Sequence, residues 1–255
     1  MASILIIIAG FTAIAEEKPL KVFVLAGQSN MFGAGANIED LPEELQKPQK
    51  DVLVFQKDAW IPLDPGKATD TGKHFGPEVT FGQIMTKELG EPIGIIKLSV
   101  GGTNLAVEWN PDNQKLLSLY SKLVKIVKEA QKSRPIVICG MLWMQGERDS
   151  KFEDMAKDYQ KNLPHLIESA RKDFGVKDMP FACGRVNSNK DFVDLVRKAQ
   201  ESCDLPGYKM VDCDDLAKIS DHLHYSSKGQ MELGKKFAAA MLELMKADKS
   251  QKKAP

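Results

Sequence analysis

Short, continuously apolar segments alternate with longer amphipathic ones along this chain, and this alternation constrains the fold more than any other feature. The short segments lack the every-other-residue pattern of a half-exposed strand, and a continuous pattern is typical of strands covered on both faces. Five such segments are predicted as strands: 21–26, 93–99, 136–143, 180–186 and 208–212.

The longer segments carry apolar residues at three- and four-residue spacing, which predicts helices. Five segments show this pattern: 77–89, 114–132, 154–172, 190–201 and 227–246. Alternating strands and helices of this length indicate parallel strands joined by right-handed crossovers. We therefore expect one three-layer α/β/α domain with a five-stranded parallel sheet. The stretch 33–75, with several Pro and Gly residues, is expected to be an elaborated loop.

The first fifteen residues differ in kind, because they are uncharged, densely apolar and end in Ala13-Ile14-Ala15. An apolar core before a small-x-small site is typical of a secretory signal peptide, although the usual basic residue near the start is absent. Fifteen residues are fewer than the about 20 that a helix needs to span a bilayer. We expect residues 1–15 to be a signal peptide cleaved after Ala15, residues 16–255 to form the domain, and the protein to be secreted or periplasmic. A buried first strand is the alternative.

The 35 basic and 35 acidic residues cancel, so the charge does not indicate nucleic acid or an anionic membrane surface as a partner. The four cysteines allow three disulfide pairings in an exported protein. Cys203 and Cys213 flank a turn at 206–207, so this pair is the easier one to close. Cys139 and Cys183 lie in apolar runs, where cysteine often serves as a small hydrophobe.

Small and hydrogen-bonding residues follow four of the five predicted strands. These clusters are 27–31 (GQSNM), 100–104 (VGGTN), 144–149 (MQGERD) and, before the last helix, 221–224 (DHLH). Ligands of an open parallel sheet bind beyond the carboxyl ends of its strands, where these clusters should meet. The sequence therefore predicts a functional site at this edge.

Ser29 in the first cluster is a candidate nucleophile, which needs a base and an acidic group that orients the base. Asp221 and His224 are three residues apart, so one tight turn can place the carboxylate beside Nδ1 and leave Nε2 facing Ser29. His222 is the competing base, and His224 is favoured because adjacent side chains on a turn diverge. Helix capping by Ser29 and by Asp221, with His224 as a surface residue, is the structural alternative.

A metal site is an alternative interpretation, with four candidate ligands: His222, His224, Asp214 and Asp215. Their spacing matches no familiar zinc pattern. No metal and no organic cofactor is expected.

Acyl transfer also needs hydrogen-bond donors for the oxyanion. The candidates are the backbone N–H of Ser29, an N–H of Gly101 or Gly102, and the side-chain amide of Gln145. A plain tight turn at 101–102 and a buried hydrogen-bonding role for Gln145 are the structural alternatives.

The motifs GQSNM, VGGTNL, WMQGERD and DHLH together resemble the block pattern of the SGNH-hydrolase superfamily, and most closely its carbohydrate acetylesterases and sialate O-acetylesterase-like proteins. The resemblance covers nearly the whole chain after residue 16. It implies a flavodoxin-like α/β/α fold and a metal-independent serine esterase that removes acetyl groups from sugar hydroxyls. The loops of 33–75 match nothing that identifies the sugar.

The resemblance also implies roles by position. It matches three residues to the catalytic group: Ser29 as nucleophile, His224 as base and Asp221 as its partner. It matches Gly102, or Gly101 one residue earlier, and Gln145 to the oxyanion donors. Four further residues match positions that support the site rather than perform chemistry: Gln28, Asn30, Glu147 and Asp149.

Two rival functions share this fold. A lipid esterase or thioesterase needs a long apolar acyl slot, which the glycine-rich and polar loops do not suggest. A secreted glycan-binding protein without turnover is the second rival, with Trp60 and Trp109 in loops where they can stack on sugar rings. An esterase with a histidine base should lose activity below a pH of roughly 6.

Overall fold

The computed structural model describes residues 18–67, 72–113, 115 and 118–251, with side chains up to residue 247. The predicted signal peptide, residues 1–15, lies outside these residues, and its cleavage stays a prediction.

A seven-stranded sheet forms the centre of the described part of the chain. Its strands are β1 (Leu20–Gly27), β2 (Gln49–Gln56), β3 (Ala59–Leu63), β4 (Ile93–Ser99), β5 (Ile136–Met144), β6 (Phe181–Gly184) and β7 (Tyr208–Val211). They are arranged in the order β3-β2-β4-β1-β5-β6-β7. All neighbouring pairs are parallel except β2 and β3, which are antiparallel.

The five predicted strands correspond to β1, β4, β5, β6 and β7, which lie side by side in the flavodoxin-like order 2-1-3-4-5. The prediction of only five strands was wrong, because β2 and β3 form a hairpin within the stretch that was expected to be a loop. Its turn places Lys57 and Asp58 at φ 48° and 62°. Glycine or asparagine normally takes such positions, so the usual hairpin signal is missing from the sequence.

Helices cover both faces of the sheet. They are α1 (Ser29–Phe32), α2 (Glu78–Leu89), α3 (Leu119–Ser133), α4 (Glu153–Phe174), α5 (Val193–Glu201) and α6 (Ser227–Gln251). Successive side chains of β1 point to opposite faces, so Val22 and Val24 pack with α3, α4 and α5. Phe23 and Leu25 pack with α2 and α6. The three-layer α/β/α architecture is confirmed.

The predicted helices agree with the observed ones to within a few residues, except that α3 begins at Leu119 rather than at 114. Ser118 provides the reason, because its side chain accepts a hydrogen bond from the N–H of Ser121 and caps the helix.

The cysteines are free thiols. The expected easy pairing of Cys203 with Cys213 was wrong, because the sheet separates them. Cys213 is buried between the sheet and α6, whereas Cys203 packs against the core on the face covered by α3, α4 and α5. Sequence proximity across a turn therefore gave a misleading estimate of distance.

Candidate active site

The candidate site lies where β1, β4 and β5 end. Gly27 closes β1 at φ 151°, and a β-carbon there would overlap the carbonyl oxygen of Met144 at the end of β5. Glycine is required because it alone tolerates both the dihedral and this close approach. The chain then enters the single turn of α1, which begins at Ser29.

Asp221 and His224 form a hydrogen-bonded pair in the loop that precedes α6. Nδ1 of His224 lies 2.6 Å from Oδ2 of Asp221. The other oxygen, Oδ1, accepts hydrogen bonds from the N–H groups of Leu223 and His224, each at 2.9 Å. This carboxylate therefore fixes both the ring and the turn that carries it, and leaves Nε2 of His224 for chemistry.

The environment of Asp221 keeps its carboxylate ionised. Partial burial by itself raises the pKa of Asp221, but the hydrogen bonds from the backbone of His224 and Leu223 and from the His224 ring outweigh it and lower the pKa to about 2. An ionised carboxylate stabilises an imidazolium beside it. His222 has a different setting, since it is exposed at φ 56° and its N–H donates to the carbonyl oxygen of Ile219.

Asn30 connects the turn that carries Ser29 to the loop that carries His224. Its Oδ1 accepts a hydrogen bond from the N–H of Tyr225 at 3.0 Å, and its Nδ2 donates to the carbonyl oxygen of Leu223 at 3.2 Å. These two partners lie immediately on either side of His224. The residue after the candidate nucleophile therefore holds the main chain on both sides of the candidate base.

Glu147 lies behind Asn30 and is only 2% exposed. Its Oε1 accepts a hydrogen bond from Nδ2 of Asn30 at 2.6 Å. Its Oε2 is buried with no hydrogen-bond partner among the described residues. Burial raises the pKa of Glu147, although the hydrogen bond from Asn30 and the charges of His224 and Lys218 act in the opposite direction.

Gly101 and Gly102 form an exposed turn after β4. A β-carbon on Gly101 would lie 3.8 Å from Cβ of Ser29, so this turn adjoins the candidate nucleophile. Backbone N–H groups at such a turn can approach a ligand closely. The structure thus brings together two of the predicted oxyanion elements, the turn and Ser29.

The contacts of Gln145 do not fit the predicted oxyanion role. The side chain is fully buried, and its Nε2 lies 2.5 Å from Oδ2 of Asp149, 3.0 Å from the carbonyl oxygen of Thr103 and 3.1 Å from Oε1 of Gln28. An amide nitrogen has two hydrogens. Both are engaged, so Gln145 is a buried hydrogen-bonding partner, which was the structural alternative.

Gln28 and Asp149 connect the loops around the candidate site through hydrogen bonds. Oε1 of Gln28 accepts hydrogen bonds from Gln145 and, at 3.3 Å, from the N–H of Arg148. The Asp149 carboxylate accepts from the N–H groups of Leu105 and Ala106 at 3.0 to 3.2 Å. These bonds tie the end of β1 and the loop after β4 to the loop after β5.

Asp149 holds its charge at a cost, because it is fully buried. Burial raises the pKa of Asp149 to about 6, against the opposing hydrogen bonds from Gln145, Leu105 and Ala106.

The two tryptophans considered as sugar platforms are not available at the site. Trp109 is fully buried, packs edge-on against Trp143 and donates from Nε1 to Oγ1 of Thr103 at 2.9 Å. Trp60 lies on β3, packs against Phe55 and donates to Ser133 at the far end of α3. Both therefore serve the packing of the domain.

Two of the four candidate metal ligands, Asp214 and Asp215, are engaged in ion pairs. Asp214 accepts hydrogen bonds from Arg197 at 2.6 and 2.8 Å, and Asp215 from Lys236 at 2.5 Å. Across the described ranges no group of three or more His, Cys, Asp or Glu residues is placed to hold a metal ion.

No helix among residues 18–67, 72–113 and 118–251 is long and apolar enough to cross a membrane.

Two buried polar residues of the site were not found from the sequence. Gln230 in α6 donates from Nε2 to the carbonyl oxygen of Asn30 at 2.8 Å, and Tyr159 in α4 donates to the carbonyl oxygen of Gln145 at 3.0 Å. Each lies on the apolar face of its helix, three or four residues before a buried leucine. A polar side chain on an apolar stripe was the available signal.

The chain is similar in sequence and in fold to known carbohydrate esterases. Residues 19–243 match the model of a family described as carbohydrate esterase, sialic acid-specific acetylesterase. The chain is 29% identical over 252 residues to a protein of Arabidopsis thaliana named probable carbohydrate esterase, with 88% of this chain and 91% of that protein covered.

Solved structures share the fold. The crystal structure of an Arabidopsis thaliana protein superposes with a TM-score of 0.79 at 28% identity, covering 89% of this chain and 99% of the other. NanS has a TM-score of 0.72 at 17% identity, covering 92% of this chain and all of its own. A carbohydrate acetylesterase from Xanthomonas citri has a TM-score of 0.69 at 19% identity, covering 89% of this chain and 57% of its own.

Proposed function

The chain belongs to the sialic acid-specific acetylesterase family of carbohydrate esterases, and we propose that it removes O-acetyl groups from sugars through an acetyl-enzyme intermediate on Ser29. Membership confirms the resemblance drawn from the motifs and makes the chain a carboxylic-ester hydrolase. The proposal adds the nucleophile, the base and the order of steps.

In the first step, His224 Nε2 takes the proton of the Ser29 hydroxyl while Ser29 Oγ attacks the acetyl carbonyl carbon. The tetrahedral intermediate collapses, the bond from carbon to the sugar oxygen breaks, and that oxygen takes the proton from His224. Asp221 holds the ring in the required tautomer and stabilises its charged form. The acetyl group remains on Ser29.

In the second step, water enters, gives a proton to His224 and attacks the acetyl carbon. The bond to Ser29 Oγ breaks, His224 returns the proton to Oγ, and acetic acid leaves and loses its proton to solvent to give acetate. The oxyanion of both steps accepts hydrogen bonds from the N–H of Ser29 and from an N–H of Gly101 or Gly102. Each such donor is worth about 3–4 kcal/mol of transition-state stabilisation.

A single observation carries the proposal: Asp221 orients His224, and Asn30 joins the main chain on both sides of His224 to the residue next to Ser29. A helix-capping serine needs no such connection. Oδ1 of Asp221 accepts hydrogen bonds from the N–H groups of Leu223 and His224 rather than from N–H groups in the first turn of α6. This argues against the alternative that Asp221 caps α6.

The substrate class follows from the family description and from the names of relatives, which include carbohydrate esterases. We propose an acetylated sugar, either a sialic acid or another acetylated glycan. We also propose that residues 1–15 direct export, which N-terminal sequencing of the protein from the producing cell tests. A first residue of Glu16 supports cleavage after Ala15, and an intact Met1 contradicts it.

The deciding experiment is acetate release from p-nitrophenyl acetate by the wild-type protein, by Ser29→Ala and by a matched control, Ser202→Ala, which alters an exposed serine after α5. Wild type and Ser202→Ala should turn over, and Ser29→Ala should fall to background while remaining folded by circular dichroism. Equal activity of Ser29→Ala would remove Ser29 as nucleophile.

Substrate preference is measured next with an O-acetylated sialic acid, an acetylated neutral glycan and p-nitrophenyl octanoate. Faster hydrolysis of the octanoyl ester than of every acetyl ester would favour a lipid esterase. Glycan binding by both wild type and Ser29→Ala without hydrolysis by either would favour the glycan-binding rival.

A further inference from the structure

We propose that Glu147 is a positioning residue that fixes the orientation of the Asn30 amide and, through it, the placement of His224 relative to Ser29. The inference rests on the proposed function, because it assigns these two residues their catalytic roles. Glu147 itself touches neither of them in a hydrogen bond among the described residues.

The Asn30 amide works in one orientation only. Its oxygen accepts from the N–H of Tyr225 and its nitrogen donates to the carbonyl oxygen of Leu223. A flipped amide would point its NH₂ group at the N–H of Tyr225 and its oxygen at the carbonyl of Leu223. Both bonds would be lost and replaced by repulsion, which releases the main chain on both sides of His224.

Glu147 selects that orientation because its Oε1 accepts a hydrogen bond from Nδ2 of Asn30, at 2.6 Å. This bond requires the amide nitrogen, and not the amide oxygen, to face Glu147. Neither residue is exposed by more than 2%, so water does not compete for this bond. An unsatisfied group at such a site is costly. The hydrogen bond therefore discriminates strongly between the two amide orientations.

The bond needs an acceptor and not a charge. Burial raises the pKa of Glu147, which favours the neutral carboxyl, and Oε2 lacks a hydrogen-bond partner among the described residues. A neutral carboxyl that accepts at Oε1 is matched in shape by a glutamine that accepts through its amide oxygen. Methionine has a similar shape but offers only a weak sulfur acceptor.

The test compares Glu147→Gln with Glu147→Met in p-nitrophenyl acetate hydrolysis by the full chain. Glu147→Gln should keep kcat within about threefold of wild type, since a bond of the same geometry is kept. Glu147→Met should lower kcat about ten- to a hundredfold, as small misplacements of catalytic groups do. KM should change little in either variant, because neither touches the substrate.

A double-variant cycle then measures whether Glu147 acts through Asn30. Asn30→Ala removes both contacts beside His224, so Glu147→Met added to Asn30→Ala should lower kcat no further. Residues that act independently would instead give losses that multiply. Urea unfolding of each variant shows that the chain compared is folded.

Equal losses in Glu147→Gln and Glu147→Met, or losses that multiply in the double variant, would overturn the inference. Wild-type kcat in Glu147→Met would also overturn it, while the proposed function stands as long as Ser29→Ala is inactive. Activity retained by Ser29→Ala would instead remove the proposed nucleophile, and with it the geometry that Glu147 is inferred to maintain.

Discussion

Gly35 packs against His224 so closely that a β-carbon on Gly35 would lie 3.0 Å from the Cβ of His224. The same β-carbon would lie 2.5 Å from the carbonyl oxygen of Tyr225, closer than side chains approach a backbone. Gly35 lies three residues beyond the end of α1. The segment leaving the turn that carries Ser29 is therefore in contact with the loop that carries the proposed base.

Gly35→Ala should impair catalysis by displacing this loop. The added methyl group meets backbone at Tyr225, which cannot rotate away, so the loop has to shift by a few tenths of an ångström or more. We expect kcat for p-nitrophenyl acetate to fall about ten- to a hundredfold, with the variant still folded.

Gly175→Ala is the matched control. Gly175 ends α4 at φ 75°, with open space around its missing side chain. Alanine there costs stability through the dihedral alone and leaves the site untouched. A wild-type kcat in Gly35→Ala, or an equal loss in Gly175→Ala, would contradict the contact argument.

His224 and His222 provide a second matched pair, since they lie in one loop and only His224 is hydrogen-bonded to Asp221. His224→Ala should lose about a thousandfold or more in kcat, as removal of a catalytic base does. His222→Ala should stay near wild type. Stopped assays with p-nitrophenyl acetate measure both, and the reverse result would transfer the role of base to His222.

The convergence of the candidate-site residues at one edge of the sheet could be predicted from the sequence because the physical rule behind it is local. A buried parallel strand has to end, and its carboxyl end faces the same edge as those of its neighbours. Polar clusters after the strands, such as the one beginning at Gly27, therefore converge without any knowledge of side-chain contacts. The contact between Asp221 and His224 is likewise local, because the two residues are three apart in the sequence and lie in one turn.

The direction in which a side chain points depends on residues from other segments of the chain, and it could not be predicted from the sequence. Gln145 follows a strand at the site edge, yet Asp149 and Thr103 draw its amide into the interior. Trp109 lies in a loop but is buried against Trp143. The partners in each case come from other segments, so residue type and position alone did not identify them.

Asp149 predicts a pH dependence of stability with a definite sign. The pKa of Asp149 is about 6 in the folded chain, whereas the ordinary value, expected in the unfolded chain, is 3.8. The folded state therefore binds the proton more tightly than the unfolded state. Between those values, the stability contributed by Asp149 falls as the pH rises. The difference amounts to a free energy of unfolding on the order of 3 kcal/mol.

Asp149→Asn isolates this effect, because asparagine does not titrate. The variant should be less stable than wild type. Its amide oxygen can still accept from Leu105 and Ala106 at the Oδ1 position, but an NH₂ group at the Oδ2 position cannot accept from Gln145. Its deficit in urea unfolding should be largest near pH 4 and shrink as the pH rises to about 6. A deficit that grows over this range would show that the carboxylate is favoured in the folded state.

Lys97 and Glu78 form a buried ion pair next to the turn that carries Ser29, with exposures of 3% and 0% for their side chains. Nζ of Lys97 donates to Oε2 of Glu78 at 2.6 Å and to the carbonyl oxygen of Phe32 at 3.5 Å. Oε1 of Glu78 accepts from the N–H of Gly76 at 3.0 Å. The pair thus joins β4, the end of α1 and the start of α2.

Removing one partner should cost far more stability than removing both. Lys97→Met leaves Glu78 buried without its counter-ion, so the free energy of unfolding should fall by about 3–5 kcal/mol. In Lys97→Met with Glu78→Gln neither charge of the pair is left, so most of that loss should be recovered. Urea unfolding of the two single variants and the double variant measures the coupling.

The same variants separate stability from catalysis. Recovered stability with a low kcat in the double variant would indicate that the contact of Lys97 with the carbonyl of Phe32 helps to set the turn carrying Ser29. Recovery of both stability and kcat would indicate that the ion pair contributes to the packing of the domain but does not position the turn carrying Ser29. A double variant as unstable as Lys97→Met would contradict the argument, because the loss would then not arise from an uncompensated charge.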